Sequence, residues 1–144
     1  SEVCIRDRSE TYLSEHNGAE VNTAKIANET PDLTMFNGHA NQYVFEPLKA
    51  RVGERVRIWV LAAGPSRGCS FHVVGTQFDT VFKEGAYTLK RGNPEGGGCQ
   101  ALDLASAQGG FVEMVFEEPG RYTFVNHSFV EMERGAKGFI EVTT

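Results

Sequence analysis

Strict alternation of apolar and polar positions is clearest from Arg55 to Leu61, where Val56, Ile58 and Val60 fall on one face and Arg55, Arg57 and Trp59 on the other. A period of two over such a run predicts a half-buried strand. The period returns from Gly110 to Phe116, with Val112, Met114 and Phe116 set against Phe111, Glu113 and Val115. It returns again from Gly120, where Tyr122, Phe124 and Asn126 alternate with Thr123, Val125 and His127, so that this strand ends in a histidine at a sheet rim. Shorter β-rich runs predict strands at Ser70–Val74, Phe78–Phe82, Gln100–Leu104 and Gly138–Thr143. LTMFNG followed by HANQYVFEP predicts a short strand from Leu33, an Asn37-Gly38 turn and a second strand closed by Pro47.

Between these runs, Ser128 to Lys137 carries Phe129, Val130 and Met132 among charged residues, the pattern of a short helical turn. Glu84 to Gly98 holds five glycines and a proline and predicts a long surface loop. Loops thus alternate with strands at a spacing of roughly 8 to 12 residues, which points to an all-β antiparallel sandwich. Pro119-Gly120-Arg121-Tyr122, near a strand start, matches the tyrosine corner of Greek-key sandwiches.

Composition sets the scale. With 144 residues, 15.8 kDa and 40% hydrophobic residues, the chain is long enough to bury a core in one domain. Residues 1–32 are poor in apolar side chains and predict an extended arm or interdomain linker with one helical turn near Tyr12 and Leu13, ahead of a globular domain over 33–144. A net charge of -5 and a pI near 5.4 speak against a nucleic-acid footprint, which needs clustered Lys and Arg. The longest apolar run, Ile58 to Ala63, falls far short of the ~20 residues that span a bilayer. SEVCIRDRSE has no apolar segment of the secretory type. Cys4, Cys69 and Cys99 are too few for a disulfide scaffold and leave at least one thiol unpaired; the alternatives are three reduced thiols or one of three pairings, of which Cys69 with Cys99 is favoured, since both lie in Gly-rich loops beside apolar strands.

Chemistry must come from four histidines. His16 sits in the polar arm and His39 follows a turn, where solvation is the expected state. His72, in CSFHVVG, and His127, in FVNHSF, stand where sandwich loops gather, and on spacing alone they are either buried hydrogen-bonded residues or a pair able to bind metal or exchange protons near neutral pH. A blue copper site needs two His, one Cys and a weak axial Met, and no cysteine here is followed closely by both His and Met. There is no H-x-H pair, no second close Cys/His pair for structural zinc, no G-x-S-x-G elbow, and Gly96-Gly97-Gly98 lacks the lysine and helix of a phosphate loop.

Taken together, the run from Arg55 to Pro65, SFHVVGTQFDTVFKEG and PGRYTFVNHSFVEMERGAKGFIEV resemble the second cupredoxin domain of copper-containing nitrite reductases and the related two-domain multicopper oxidases, over about Met35 to Val142. The resemblance implies a cupredoxin-like Greek-key β-sandwich or barrel with one short helical turn. It implies a domain without type 1 copper that contributes to a type 2 copper shared with another domain or subunit. By motif, His127 matches the ligand this domain gives to that copper, and His72 the non-ligand histidine that handles protons during reduction of nitrite to nitric oxide. Val74 falls where an aliphatic residue caps the substrate. Where the nitrite reductases commonly place Glu-Thr to orient the proton-handling histidine, this chain has Gln100-Ala101, a neutral amide in the substrate pocket.

The implied partners are a type 1 copper cupredoxin domain, two further copies in a homotrimer, and a small anion such as nitrite, in a periplasmic or extracytoplasmic setting. The alternatives are a multicopper oxidase domain with another substrate, or a metal-free cupredoxin-like module that binds or assembles through its arm and its Glu84–Gly98 loop.

Overall fold

A computed structural model describes residues 2–5, 8–15 and 20–144, and every statement below concerns these. In chain order the elements are β1 Glu2–Ile5, β2 Arg8–Thr11, α1 Thr23–Ala27, β3 Leu33–Phe36, α2 Gln42–Phe45, β4 Leu48–Arg51, β5 Arg55–Leu61 and β6 Cys69–Val73. They continue with β7 Thr80–Lys83, β8 Ala86–Leu89, β9 Ala101–Leu104, β10 Gly109–Val115, β11 Gly120–Asn126, α3 Phe129–Glu133 and β12 Lys137–Thr143. Two five-stranded sheets, β1-β5-β10-β7-β8 and β4-β12-β11-β6-β9, face each other, and β2-β3 form a separate ribbon. This is the expected all-β sandwich, with two departures from a purely antiparallel one: β1 joins β5, and β4 joins β12, in parallel.

The alternating patterns place the core. In β5, Val56, Ile58 and Val60 are buried, and in β10 Val112 and Met114 face them across the ladder. Phe71 and Val73 of β6, Phe124 of β11 and Ile140 of β12 supply the other inner face, joined by Phe36 at the end of β3. The expected tyrosine corner is present: Tyr122 donates from its hydroxyl to the Glu118 carbonyl at 2.9 Å.

Four local expectations are corrected. HANQYVFEP does not form a strand after the Asn37-Gly38 turn; Asn41 takes a left-handed conformation and residues 42–45 coil into α2, which lays Tyr43 on Phe124 with ring centroids 5.7 Å apart. The Glu84–Gly98 segment is not all loop, because β8 turns back on β7 through Glu84-Gly85. No helical turn forms at Tyr12 and Leu13, where Leu13 instead bridges Val21; the helix of this region is α1, so there are three short helices in place of one.

Cys69 and Cys99 are free thiols. Cys69 pairs with Leu104 across β6 and β9, five positions along from Cys99, which itself bridges Phe78. At ~3.3 Å per residue that is about 16 Å, far beyond the roughly 6 Å between the Cα atoms of a cystine. Burial pushes the Cys69 thiol up to about 12, which keeps it protonated and inert. The Cys4 side chain and His16 lie outside the described residues. No helix is long and apolar enough to cross a membrane.

Charged pairs on the outer faces make the fold sensitive to acid. Two hydrogen bonds from Arg55, at 2.7 and 2.9 Å, hold the Asp79 carboxyl below its ordinary value, outweighing partial burial. Lys25 does the same for Asp32, and Lys83 for Asp103. A carboxyl depressed in the native state binds fewer protons there than in the unfolded chain, so stability is full above the unfolded value and declines as the pH falls through the native one. The urea midpoint is therefore expected to hold level from neutrality down to about pH 5 and to drop below about pH 4. Arg55→Gln should flatten part of that drop; a midpoint independent of pH across this range would contradict the assignment.

Candidate functional site

In β6 the pattern buries Cys69, Phe71 and Val73 and turns Ser70 and His72 to the outer face. Strand β6 lies between β11 and β9, and His72 is opposite Val125 on one side and Ala101 on the other. His127 is the first residue beyond β11, yet the ladder extends to it, since its N–H donates to the Ser70 carbonyl at 2.8 Å. The two imidazoles, 55 positions apart in sequence, thus meet edge to face with ring centroids 5.4 Å apart. Phe129 also packs on His127, with ring centroids 4.9 Å apart.

The two rings differ in what their nitrogens do. His72 Nδ1 lies 2.5 Å from the main-chain carbonyl of Gln100. A carbonyl only accepts, so the proton is on Nδ1, and in the neutral ring Nε2 carries the free lone pair. His127 is exposed at its rim. Around His72 an open depression of about 390 Å³ is lined by Val74, Gly75, Thr76, Gln77 and Gln100. Val74 is half exposed there, presenting a bare aliphatic side chain beside the imidazole.

The four residues singled out from the sequence therefore gather around His72: Val74 and Gln100 line its depression, and His127 meets its ring. His39 does not join them; it is exposed beside its α2 turn, with Nδ1 on the carbonyl of Ala40. The link from Gln100 to His72 runs through the main chain, so the amide side chain is not what orients the ring. A larger depression, about 580 Å³ between Trp59, Leu61 and Phe82, lies on the other sheet and contains no histidine.

Residues that the sequence did not mark complete the site from beneath. Asn126 is buried, accepting from Ser70 N–H at Oδ1 (3.0 Å) and donating from Nδ2 to Glu131 (2.6 Å). Glu131, on α3, is buried against Arg8 of β2. The available signals were an Asn directly before the histidine and a Glu five positions after that Asn.

Imidazole is a donor suited to copper, zinc, iron and nickel, so this donor set fits a copper ion. Among the described residues no three His, Cys, Asp or Glu side chains come together as a ligand cluster. At this site His127 presents an exposed imidazole and His72 one whose Nδ1 is already engaged.

Comparison with known proteins gives a consistent set of relatives. No family model matches the chain. It is 35% identical over 120 residues to the copper-containing nitrite reductase of Neisseria gonorrhoeae, covering 82% of this chain and 29% of that protein. To the copper-containing nitrite reductase of Neorhizobium galegae it is 31% identical over 116 residues, covering 79% and 29%. Among solved structures, a copper-containing nitrite reductase from Thermus scotoductus superimposes with a TM-score of 0.80 at 28% identity, covering 98% of this chain and 30% of that one. A multicopper oxidase from Campylobacter jejuni shares the fold, with a TM-score of 0.72 at 15% identity, covering 100% and 30%. The chain thus spans less than a third of the length of these relatives.

Proposed function

The chain belongs to the copper-containing nitrite reductase family and has a cupredoxin fold shared with multicopper oxidases, and from that premise we propose that it forms the catalytic-interface half of a copper oxidoreductase that reduces nitrite to nitric oxide. The observation that carries the reading is the pair of imidazoles at one sheet rim, with one ring anchored through Nδ1 and the other exposed.

In this reading His127 is a ligand to a type 2 copper whose other ligands come from another domain or subunit, in keeping with the lack of a three-residue ligand cluster among the described residues. The copper, when bound, supplies a Lewis acid and one-electron carrier for the anion. His72 stays off the metal. Its Nδ1–H is held by the Gln100 carbonyl, which fixes the ring and leaves Nε2 to take up a proton from solvent and deliver it to an oxygen of the bound anion. Val74 presents an aliphatic side chain to the substrate side of the depression. Electrons arrive through a type 1 copper domain, and a site shared between chains calls for rotational closure, here a homotrimer.

The test is to assemble the chain with its type 1 copper domain and measure copper by element analysis and turnover by nitric oxide release. His127→Ala is expected to abolish type 2 copper loading. His72→Asn is expected to retain copper but to lose about 10²- to 10⁴-fold in turnover. Unchanged copper occupancy in His127→Ala would sink the proposal. Gln100→Ala, which keeps the carbonyl, should leave the His72 tether intact.

A further inference from the structure

The loop that carries His127 has an exposed tip between two buried polar anchors. Phe129 and Val130 are 61% and 53% exposed, whereas Asn126 before the tip and Glu131 after it are each 1% exposed. Asn126 cannot be replaced by generic packing: its Oδ1 takes the Ser70 N–H, and Ser70 returns its own carbonyl to the His127 N–H. Its Nδ2 is held in turn by Glu131.

Glu131 owes its place to a cation from the far end of the chain. Arg8 of β2 is fully buried, pairs with Glu131, and donates to Glu10 Oε1 at 2.6 Å and to the Arg67 carbonyl at 2.8 Å. Arg67 adds a second cation 3.3 Å from Glu131. Glu10 is locked by Tyr12 Oη at 2.5 Å and by the N–H groups of Ser66 and Arg67. A five-residue helical turn needs no such arrangement to form. Apolar contact holds a loop at a given depth but leaves its rotation free, while charge-assisted hydrogen bonds are directional.

We infer that the buried chain Arg8–Glu131–Asn126 sets the direction of the His127 imidazole, making Arg8 and Glu131 positioning residues for it. The arm residues 8–11 are thereby part of the site's support, although they touch neither imidazole. The consequence for a metal rests on the reading of His127 as a ligand; the consequence for the ring does not.

The metal-free 144-residue chain, uniformly labelled with ¹⁵N and ¹³C, provides the first test. Glu131→Gln and Arg8→Lys are expected to speed amide exchange at His127 by roughly tenfold or more and to remove the ring-to-ring nuclear Overhauser effect between His72 and His127. The Ile58 amide in β5 should remain protected. If Arg8→Lys also exposes Ile58, that variant has unfolded and Glu131→Gln decides. Unchanged protection and an unchanged ring contact in folded Glu131→Gln overturn the inference.

In the copper-loaded assembly with the type 1 domain, Glu131→Gln is expected to weaken type 2 copper binding by about 10- to 100-fold, as loss of an outer-shell partner does. A freed His127 ring with undiminished copper affinity would overturn the link to the metal. A wild-type assembly that binds no type 2 copper would fail the functional reading while leaving the ring result to stand.

Discussion

Phe124→Ala is expected to lower the unfolding free energy by about 3–5 kcal/mol, the usual range for emptying a buried phenylalanine site. Phe124 is fully buried in the middle of β11, with Phe36, Tyr43 and Phe71 around it at centroid distances of 5.6, 5.7 and 5.9 Å. These neighbours come from β3, α2 and β6, so no single element can move to fill the space. The melting temperature should fall by roughly 10–15 °C.

Gly138 gives the same site a second test. It faces Phe124 across the β11–β12 ladder, and a Cβ there would stand 2.5 Å from the Phe124 ring and 2.4 Å from Tyr43 Cβ. Gly138→Ala alone should therefore destabilise, and should do so less in the Phe124→Ala background, where one of the two clashes is gone. Urea unfolding of the four proteins gives the coupling. A loss below about 1 kcal/mol for Phe124→Ala would mean that this region packs differently.

How far the chain could be read without coordinates depended on whether one residue's environment came from its neighbours in sequence. Strand β5 has the predicted bounds because alternation is a local property, and Val56, Ile58 and Val60 point to the core. Residues 42–45 were misjudged because Tyr43, Val44 and Phe45 carry β propensity, which yields to packing: Tyr43 lies on Phe124, a residue 81 positions away. Strand β8 was hidden among glycines because its residues are exposed or half-buried, leaving no apolar face to betray it. The Cys69–Cys99 pairing failed on register, which loop composition does not encode.

The site divides in the same way. His72 and His127 were legible because each interrupts an apolar strand and both fall in stretches resembling one family. Their distance apart was not, since it depends on β6 and β11 being neighbours. Gln100 drew attention for its side chain, whereas its carbonyl makes the contact. Least legible was Arg8, in the run RDRSE, because charged residues cluster on solvated surfaces far more often than in cores.

Removing that buried guanidinium should be as costly as emptying the Phe124 site. Arg8→Met preserves side-chain bulk but leaves two buried carboxylates without their shared cation, and breaking a buried pair from one side costs about 3–5 kcal/mol. The lower end is expected. Glu10 keeps Tyr12 and two main-chain N–H groups, which together with Arg8 hold its carboxyl below the ordinary value against the burial that would raise it. Glu131 keeps Asn126 and the half-exposed Arg67.

The larger share of the penalty therefore falls on Glu131, and this can be measured. Glu131→Gln in the Arg8→Met background removes the uncompensated charge while retaining an acceptor for Asn126 Nδ2, so the double variant should be more stable than the sum of the two single losses predicts, by about 1 kcal/mol or more. Urea unfolding at neutral pH, with far-ultraviolet circular dichroism to show that each variant is folded, supplies all four corners of the cycle. Simple additivity would mean that Arg8 and Glu131 act independently.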